Sequence, residues 1–108
     1  MTVRELSASN GFKAICMPDG EREICGGYAG DLLSWVMGRA SEGCAWVTIM
    51  SNVNIVAVAT LADPACIILS ENVQPDPDTL ARAEQQGINI LSTELDTFDA
   101  CVRIAELI

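Results

Sequence analysis

Two short apolar runs, separated by the length of one helical crossover, constrain the fold of this chain most. Residues 45–50 and 65–69 are apolar and contain many β-branched side chains, as expected of parallel strands that are buried on both faces. The fourteen residues between them, 51–64, match the dozen or more that a connection between parallel neighbours needs, and such connections are usually helical. We therefore predict a helix over residues 53–62, although its β-branched residues alone would also suit a strand.

Cap and turn residues mark the elements that follow. Asp76 can cap a helix that has Pro77 at its first position, and Gly87 can end this helix. Residues 88–92 then predict a strand. The last segment predicts an amphipathic helix with Ser92 or Thr93 as its cap. The side chains expected to face the core from this helix are Leu95, Phe98, Val102 and Ala105.

The first forty residues predict a helix over 3–9, a strand over 12–17, a second strand over 22–28 and another helix. Gly30 and Asp31 can begin this last helix, and Gly38 can close it. Its Trp35 and Met37 can belong to the core, which we favour, or to a dimer interface. The alternation of strands and helices predicts a single α/β domain over residues 1–108, a three-layer sandwich whose sheet has about five strands and is predominantly parallel.

The charge of the chain excludes several classes of partner. Fifteen acidic residues against six basic ones give a net charge of −9, which repels a nucleic acid and an anionic membrane surface alike. No apolar run approaches the roughly 18 residues that span a bilayer, and the first residues do not resemble a secretory leader, so we expect a cytoplasmic protein. Five scattered cysteines without a CxxC pair are expected to be buried free thiols, not metal ligands.

Residues that carry chemistry are mostly missing. The chain has no histidine, so it cannot form a Ser/His or Cys/His pair or an H-E-x-x-H metal site. Its single lysine, Lys13, is not part of a phosphate-binding loop, and the glycines at 26, 27 and 30 lack the G-x-G-x-x-G spacing. We therefore expect no catalytic residue, no metal and no cofactor.

Polar residues after the predicted strands are the candidates for ligand binding. Open α/β sheets bind ligands outside the carboxyl ends of their strands, where helix N-termini present free N–H groups. The loops there begin at Ser51, Ser70 and Ser92, and ordinary helix capping remains an alternative for each. We predict one ligand site formed by two of the turns, with these residues: Gly26, Gly27, Tyr28, Asp31, Ser51, Asn52 and Asn54.

A family resemblance covers nearly the whole chain. The stretch EREICGGYAGDLLSWVMGRASEGCAWVTIMSNVNIVAVATLADPACIILSENVQPD resembles the DRTGG domain, with the namesake pattern at residues 21–27. Glu21 stands in place of the leading Asp of that pattern and Cys25 in place of its Thr. The resemblance implies a fold similar to the N-terminal domain of HPr kinase/phosphorylase, without that enzyme's catalytic domain. It also implies a regulatory module, as found beside CBS domains in some pyrophosphatases and in free-standing proteins linked with iron-only hydrogenase systems.

Two classes of function remain open from the sequence. The first is a non-catalytic regulatory or ligand-sensing module that acts as a homodimer and binds a small molecule or a protein segment. The second is a small thiol-dependent redox component or enzyme that uses Cys25 with Asp31, for which the sequence offers no basic neighbour to activate the thiol.

Overall fold

The computed structural model describes all 108 residues, which form one five-stranded sheet with helices on both of its faces. The strands are β1 (Lys13–Cys16), β2 (Gly27–Ala29), β3 (Ala45–Thr48), β4 (Cys66–Leu69) and β5 (Ile90–Ser92). The helices are α1 (Val3–Ser7), α2 (Leu33–Arg39), α3 (Asn54–Ala62), α4 (Pro77–Gln86) and α5 (Thr97–Leu107). The spatial order of the strands is β1-β5-β4-β3-β2. Strands β2 to β5 are parallel, and β1 pairs antiparallel with β5, so the predicted, predominantly parallel sheet is confirmed.

The core consists of two apolar layers, one on each face of the sheet. Successive side chains of a strand point to opposite faces. In β4, Cys66 and Ile68 pack towards α1 and α5, whereas Ile67 and Leu69 pack towards α2, α3 and α4. All residues of β3 and β4 are buried, as the apolar runs predict. The three-layer arrangement expected from the sequence is therefore confirmed.

The crossover between β3 and β4 is helical, as predicted. Helix α3 buries Ile55, Val56 and Ala59 against the sheet. The need to return to a parallel neighbour outweighs the strand preference of its β-branched residues. The helix ends at Asp63, which has left-handed backbone dihedrals with φ 58°.

The boundaries of α4 also agree with the cap and turn residues. Asp76 is the N-cap, Pro77 is the first helical residue, and Gly87 ends the helix with φ 71°. The N–H of Gly87 donates to carbonyls of the last turn, which is how a left-handed residue closes a helix. The Asp76 side chain accepts no hydrogen bond from the helix. No helix of the structure has both the length and the apolar character needed to cross a bilayer.

The predicted strand over residues 22–28 is wrong in its first half. Only Gly27–Ala29 joins the sheet, next to β3. Residues 22–24 instead pair with the first residues of the chain, since Val3 N donates to the Arg22 carbonyl (2.9 Å) and Ile24 N to the Met1 carbonyl (2.9 Å). Gly26, with φ 102°, interrupts the extended chain between the two pairings, a conformation that glycine adopts readily.

Helix α2 does not begin or end where the sequence predicts. It begins at Leu33, after Leu32 as N-cap, and Gly38 lies inside its last turn. Of the bulky side chains, Val36 is buried, but Trp35 and Met37 are 51% and 47% exposed. The prediction that Trp35 and Met37 belong to the core is therefore wrong. The Arg39 guanidinium lies 3.7 Å from the centre of the Trp35 ring and covers part of it.

Helix α5 begins later than predicted and turns a different face to the core. Its N-cap is Asp96, whereas Ser92 is the last residue of β5 and the Thr93 hydroxyl accepts from Leu95 N (3.2 Å) in a turn. The helix buries Ala100 and Ile104, while Leu95 packs against the core from outside the helix. The expectation that Phe98, Val102 and Ala105 face the core is wrong, because all three are exposed.

Candidate functional site

The carboxyl ends of four strands meet at one edge of the sheet. Because β2, β3, β4 and β5 are parallel, the loops that follow them, residues 30–32, 49–53, 70–76 and 93–96, all leave the sheet at this edge. The start of β1 lies at the same edge, since β1 runs antiparallel to β5. This is the part of an open α/β sheet at which ligands bind.

Four of the seven predicted site residues lie at the carboxyl edge of the sheet, and three do not. Asp31, Ser51, Asn52 and Asn54 lie in or directly after the carboxyl-edge loops of β2 and β3. Three others do not lie there: Gly26 and Gly27 are at the amino end of β2, where Gly27 pairs with the first residue of β3, and Tyr28 is in the middle of the strand. None of the four surface cavities is lined by both predicted segments.

Asp31 holds the carboxyl ends of two strands together. Its Oδ1 accepts from the Thr48 hydroxyl (2.7 Å) and from Ile49 N (3.1 Å). Thr48 is fully buried, and Trp46 Nε1 donates nearby to the Gly30 carbonyl (3.0 Å). This carboxylate therefore satisfies internal donors, which explains why it does not cap α2.

The 51–54 loop also uses much of its hydrogen-bonding capacity internally. Asn52 Oδ1 accepts from Asn54 N (3.0 Å), which forms an Asx turn at the start of α3. The Ser51 carbonyl accepts from the Thr79 hydroxyl (2.8 Å) and thereby fixes the loop to α4. Asn54 borders a shallow cavity of about 320 Å³ between α3 and α4, which Arg82 also lines.

Gly27 and Tyr28 line an apolar groove between β2 and α5. The groove has a volume of about 230 Å³, and eight of its nine lining residues are hydrophobic. From α5 it is lined by Cys101, Ile104 and Ala105, and Ile108 follows the helix. Such a surface suits an apolar contact better than a polar ligand.

The largest cavity lies at the carboxyl edge, in loops that the predicted site does not include. It has a volume of about 460 Å³ and is bordered by the start of β1 and by the loops after β4 and β5. Its lining residues are Gly11, Phe12, Lys13, Asn72, Gln74, Ser92, Thr93, Glu94 and Leu95. The sequence places Ser70, Ser92 and their neighbours at strand ends. It does not reveal that β1 is the neighbour of β5, and so it does not bring Lys13 to them.

Cys25 and Asp31 lie at opposite ends of β2. Cys25 precedes the strand and its N–H donates to the Gly43 carbonyl (2.8 Å), at the amino edge, whereas Asp31 follows the strand at the carboxyl edge. Three of the other thiols are buried. Burial raises the pKa of Cys66 to about 12, and burial together with Glu84 raises the pKa of Cys16 to about 11. These shifts keep both thiols protonated, in a poorly nucleophilic form.

One family model matches most of this chain, and one solved structure resembles its fold. A family model of the DRTGG domain matches residues 30–107, a range that begins after residues 21–27, to which the namesake pattern is assigned above. No curated protein matches the chain. A similar solved structure is the crystal structure of the CBS and DRTGG domains of the regulatory region of Clostridium perfringens pyrophosphatase, complexed with the activator diadenosine tetraphosphate.

The structural likeness extends over most of this chain but over a smaller part of the pyrophosphatase fragment. The TM-score is 0.63 at 15% sequence identity, and the match covers 82% of this chain and 39% of the other. At this identity the likeness concerns the fold. The family model spans well over half of the sequence, and the chain therefore belongs to the DRTGG domain family.

Proposed function

We propose that this chain is a non-catalytic regulatory module that associates with a second copy of itself and senses a small molecule at the carboxyl edge of its sheet. Membership of the DRTGG family supports a regulatory role, since the DRTGG domain of the similar pyrophosphatase belongs to a regulatory region that was crystallised with an activator. The extension to self-association rests on one surface of this chain.

That surface is the outward stripe of α5. Phe98, Val102 and Ala105 are spaced four and three residues apart, so they lie on one face of the helix, and all three are exposed. Phe98 is 75% exposed, which is unusual for a large aromatic side chain without a partner. An apolar stripe on a helix whose other face already packs on the sheet favours a protein contact at this position.

The groove beside the stripe gives it a complementary shape. The groove between β2 and α5 is lined by small and apolar residues, among them Gly27, Ala29 and Ala105. In a two-fold dimer the same patch is present on both copies, so a projecting side chain of each can face a groove of the other. We propose that the stripe and the groove are the two halves of a self-complementary contact.

The other exposed apolar surface, around Trp35 on α2, supports a contact less well. The Arg39 guanidinium already stacks on the Trp35 ring at 3.7 Å, so this ring has a partner within its own helix.

The thiol-dependent alternative is less well supported than the regulatory module. It needs Cys25 beside Asp31, but β2 separates the two, and the Asp31 carboxylate is used by Thr48 and Ile49.

The ligand is limited by the charge of the protein. A polyphosphate would approach a chain of net charge −9 against repulsion, so we propose a neutral or weakly anionic small molecule, or a protein segment. Asp31, Ser51, Asn52 and Asn54, from the β2 and β3 loops, are proposed to contribute to the ligand site.

A cytoplasmic location is proposed because three thiols are buried in the core, which suits a reducing compartment. The iron-only hydrogenase setting rests on the family resemblance alone.

Native mass spectrometry of the purified chain tests self-association. Each chain has a mass of 11.5 kDa, and we expect the main species at micromolar concentration to have twice that mass. A single-chain mass throughout this range would refute the proposed dimer. Any additional non-covalent mass would identify a retained ligand.

A further inference from the structure

We propose that the cavity between the β4–α4 loop, the β5–α5 loop and the start of β1 binds a small zwitterion, a molecule of the amino-acid class with one carboxylate and one ammonium group. This inference rests on the proposed ligand-sensing function and adds to the β2 and β3 loops a second site at the same edge, with a defined class of ligand. The cavity has about 460 Å³ and is outside the seven residues predicted from the sequence.

The topology of the sheet opens a crevice at this place. Strand β4 is followed by α4, which packs on one face of the sheet, and its neighbour β5 is followed by α5, which packs on the other. The two loops therefore leave adjacent strands in opposite directions. Open α/β sheets bind their ligands in crevices outside the carboxyl ends of their strands.

A mostly buried serine with an unpartnered hydroxyl lines the crevice. Ser92 is only 6% exposed, and its hydroxyl forms no hydrogen bond within the chain. No fully enclosed polar side-chain atom of the protein lacks a partner, so this hydroxyl is accessible, and the space next to it is the cavity. The adjacent Thr93 hydroxyl accepts from Leu95 N (3.2 Å) and keeps its own proton free to donate.

The walls of the cavity are held in place before any ligand binds. Glu71 N donates to the Leu95 carbonyl (2.8 Å) and Asn72 N to the Thr93 carbonyl (2.9 Å), which joins the two loops directly. Both Glu71 and Asn72 have positive φ, 60° and 59°, which is uncommon for residues other than glycine. Binding to a preformed site is more favourable, because its loops are already ordered and lose little conformational entropy.

The charges of the cavity select a molecule with two opposite groups. Lys13 is the only lysine of the chain and takes part in none of its three ion pairs. Lys13 pairs across the sheet with Ser92, so the two side chains extend from the same face. Glu94 lines the cavity as well and is equally unpaired. A ligand with a carboxylate near Lys13 and an ammonium group near Glu94 pairs with both of these side chains.

Two further charged side chains, one of each sign, lie close to the cavity, and each forms one hydrogen bond to the backbone. Glu71 Oε2 accepts from Thr97 N (3.3 Å), and Arg103 Nη1 donates to the Asn10 carbonyl (2.8 Å). A zwitterion also has no net charge, so the −9 of the protein does not repel it as it would a plain anion. The amides of Asn72 and Gln74 remain to hydrogen-bond a polar side chain of the ligand.

An NMR titration of the full chain with the standard free amino acids tests the assignment. We expect at least one of them, at millimolar concentration, to shift the amide signals of residues 11–13, 72–74 and 92–95. Its deaminated acid and its decarboxylated amine should each bind about tenfold more weakly or worse, because each lacks one charged contact. The absence of any shift in these residues, or equal binding of the acid, would overturn the proposal.

Charge-matched variants separate the site from general electrostatics. Lys13→Gln and Glu94→Gln should each weaken binding about tenfold or more. The controls Arg39→Gln and Glu106→Gln change the net charge equally, line none of the four cavities, and should leave affinity unchanged. Equal losses in variants and controls would contradict the site. If native mass spectrometry finds a dimer but no amino acid binds, this inference fails while the proposed self-association stands.

Discussion

Arg22 and Asp63 form an ion pair between the N-terminal segment and the end of α3. Arg22 Nη1 donates to Asp63 Oδ1 (2.6 Å) and Arg22 Nη2 to the Asp63 carbonyl (2.9 Å). The guanidinium lowers the pKa of the Asp63 carboxyl and in turn has its own pKa raised. Because Asp63 is half exposed, solvent screens the interaction and its contribution to stability is small.

The Asp63→Asn variant isolates this charge, since asparagine also tolerates the left-handed backbone at position 63. The folded-state pKa is depressed, so the stabilisation is present above the ordinary carboxyl pKa and is lost as the pH falls through the folded-state value. Urea unfolding should show the variant less stable at pH 7 by at most about 1 kcal/mol, with a smaller difference at pH 3. A difference of the same size at both pH values would contradict this assignment.

Single residues were predictable where their role is local. Pro77 marks the start of α4 because its ring restricts φ, and Gly87 marks the end because glycine readily adopts left-handed dihedrals. Asp31 was not predictable, because its partners Thr48 and Ile49 lie on another strand. A short acidic residue before a helix has the same sequence pattern whether it caps that helix or ties two strands together.

At the scale of elements, α5 shows that the sequence can predict an apolar stripe on a helix without showing whether that stripe faces the core or the solvent. Residues 97–107 carry apolar side chains on two faces, with Ala100 and Ile104 on one and Phe98 and Val102 on the other. The spacing of both sets fits a helix. Because both faces carry apolar side chains, the spacing alone does not show which of them packs on the sheet.

The cap of α5 can be tested against a matched cap in the same chain. The Asp96 side chain accepts from Asp99 N (2.7 Å), whereas Asp76, the N-cap of α4, accepts no such bond. Asp96→Ala should lower the free energy of unfolding by about 1 kcal/mol, and Asp76→Ala should lower it by less. Urea unfolding at neutral pH measures both. A larger loss for Asp76→Ala would show that the two caps are assigned the wrong way round.

At the scale of the whole molecule, the parallel part of the sheet was predictable and its edge was not. The helical crossovers between β2, β3, β4 and β5 require parallel neighbours, and the lengths of the connections indicate them. Strand β1 lies beside β5, the strand farthest from it in sequence, and no local pattern shows this pairing. The cavity that Lys13 shares with Ser92 depends on this pairing, so the sequence alone could not locate it.

Phe98 and Leu61 provide a matched test of self-association through α5. Both side chains are 75% exposed, but Phe98 lies on the outward stripe of α5 and Leu61 lies on α3, on the other face of the sheet. Sedimentation velocity at micromolar concentration should show a dimer for the wild type and for Leu61→Asp, and a folded monomer for Phe98→Asp. A monomeric wild type, or a Phe98→Asp variant as dimeric as Leu61→Asp, would contradict self-association through the outward stripe of α5.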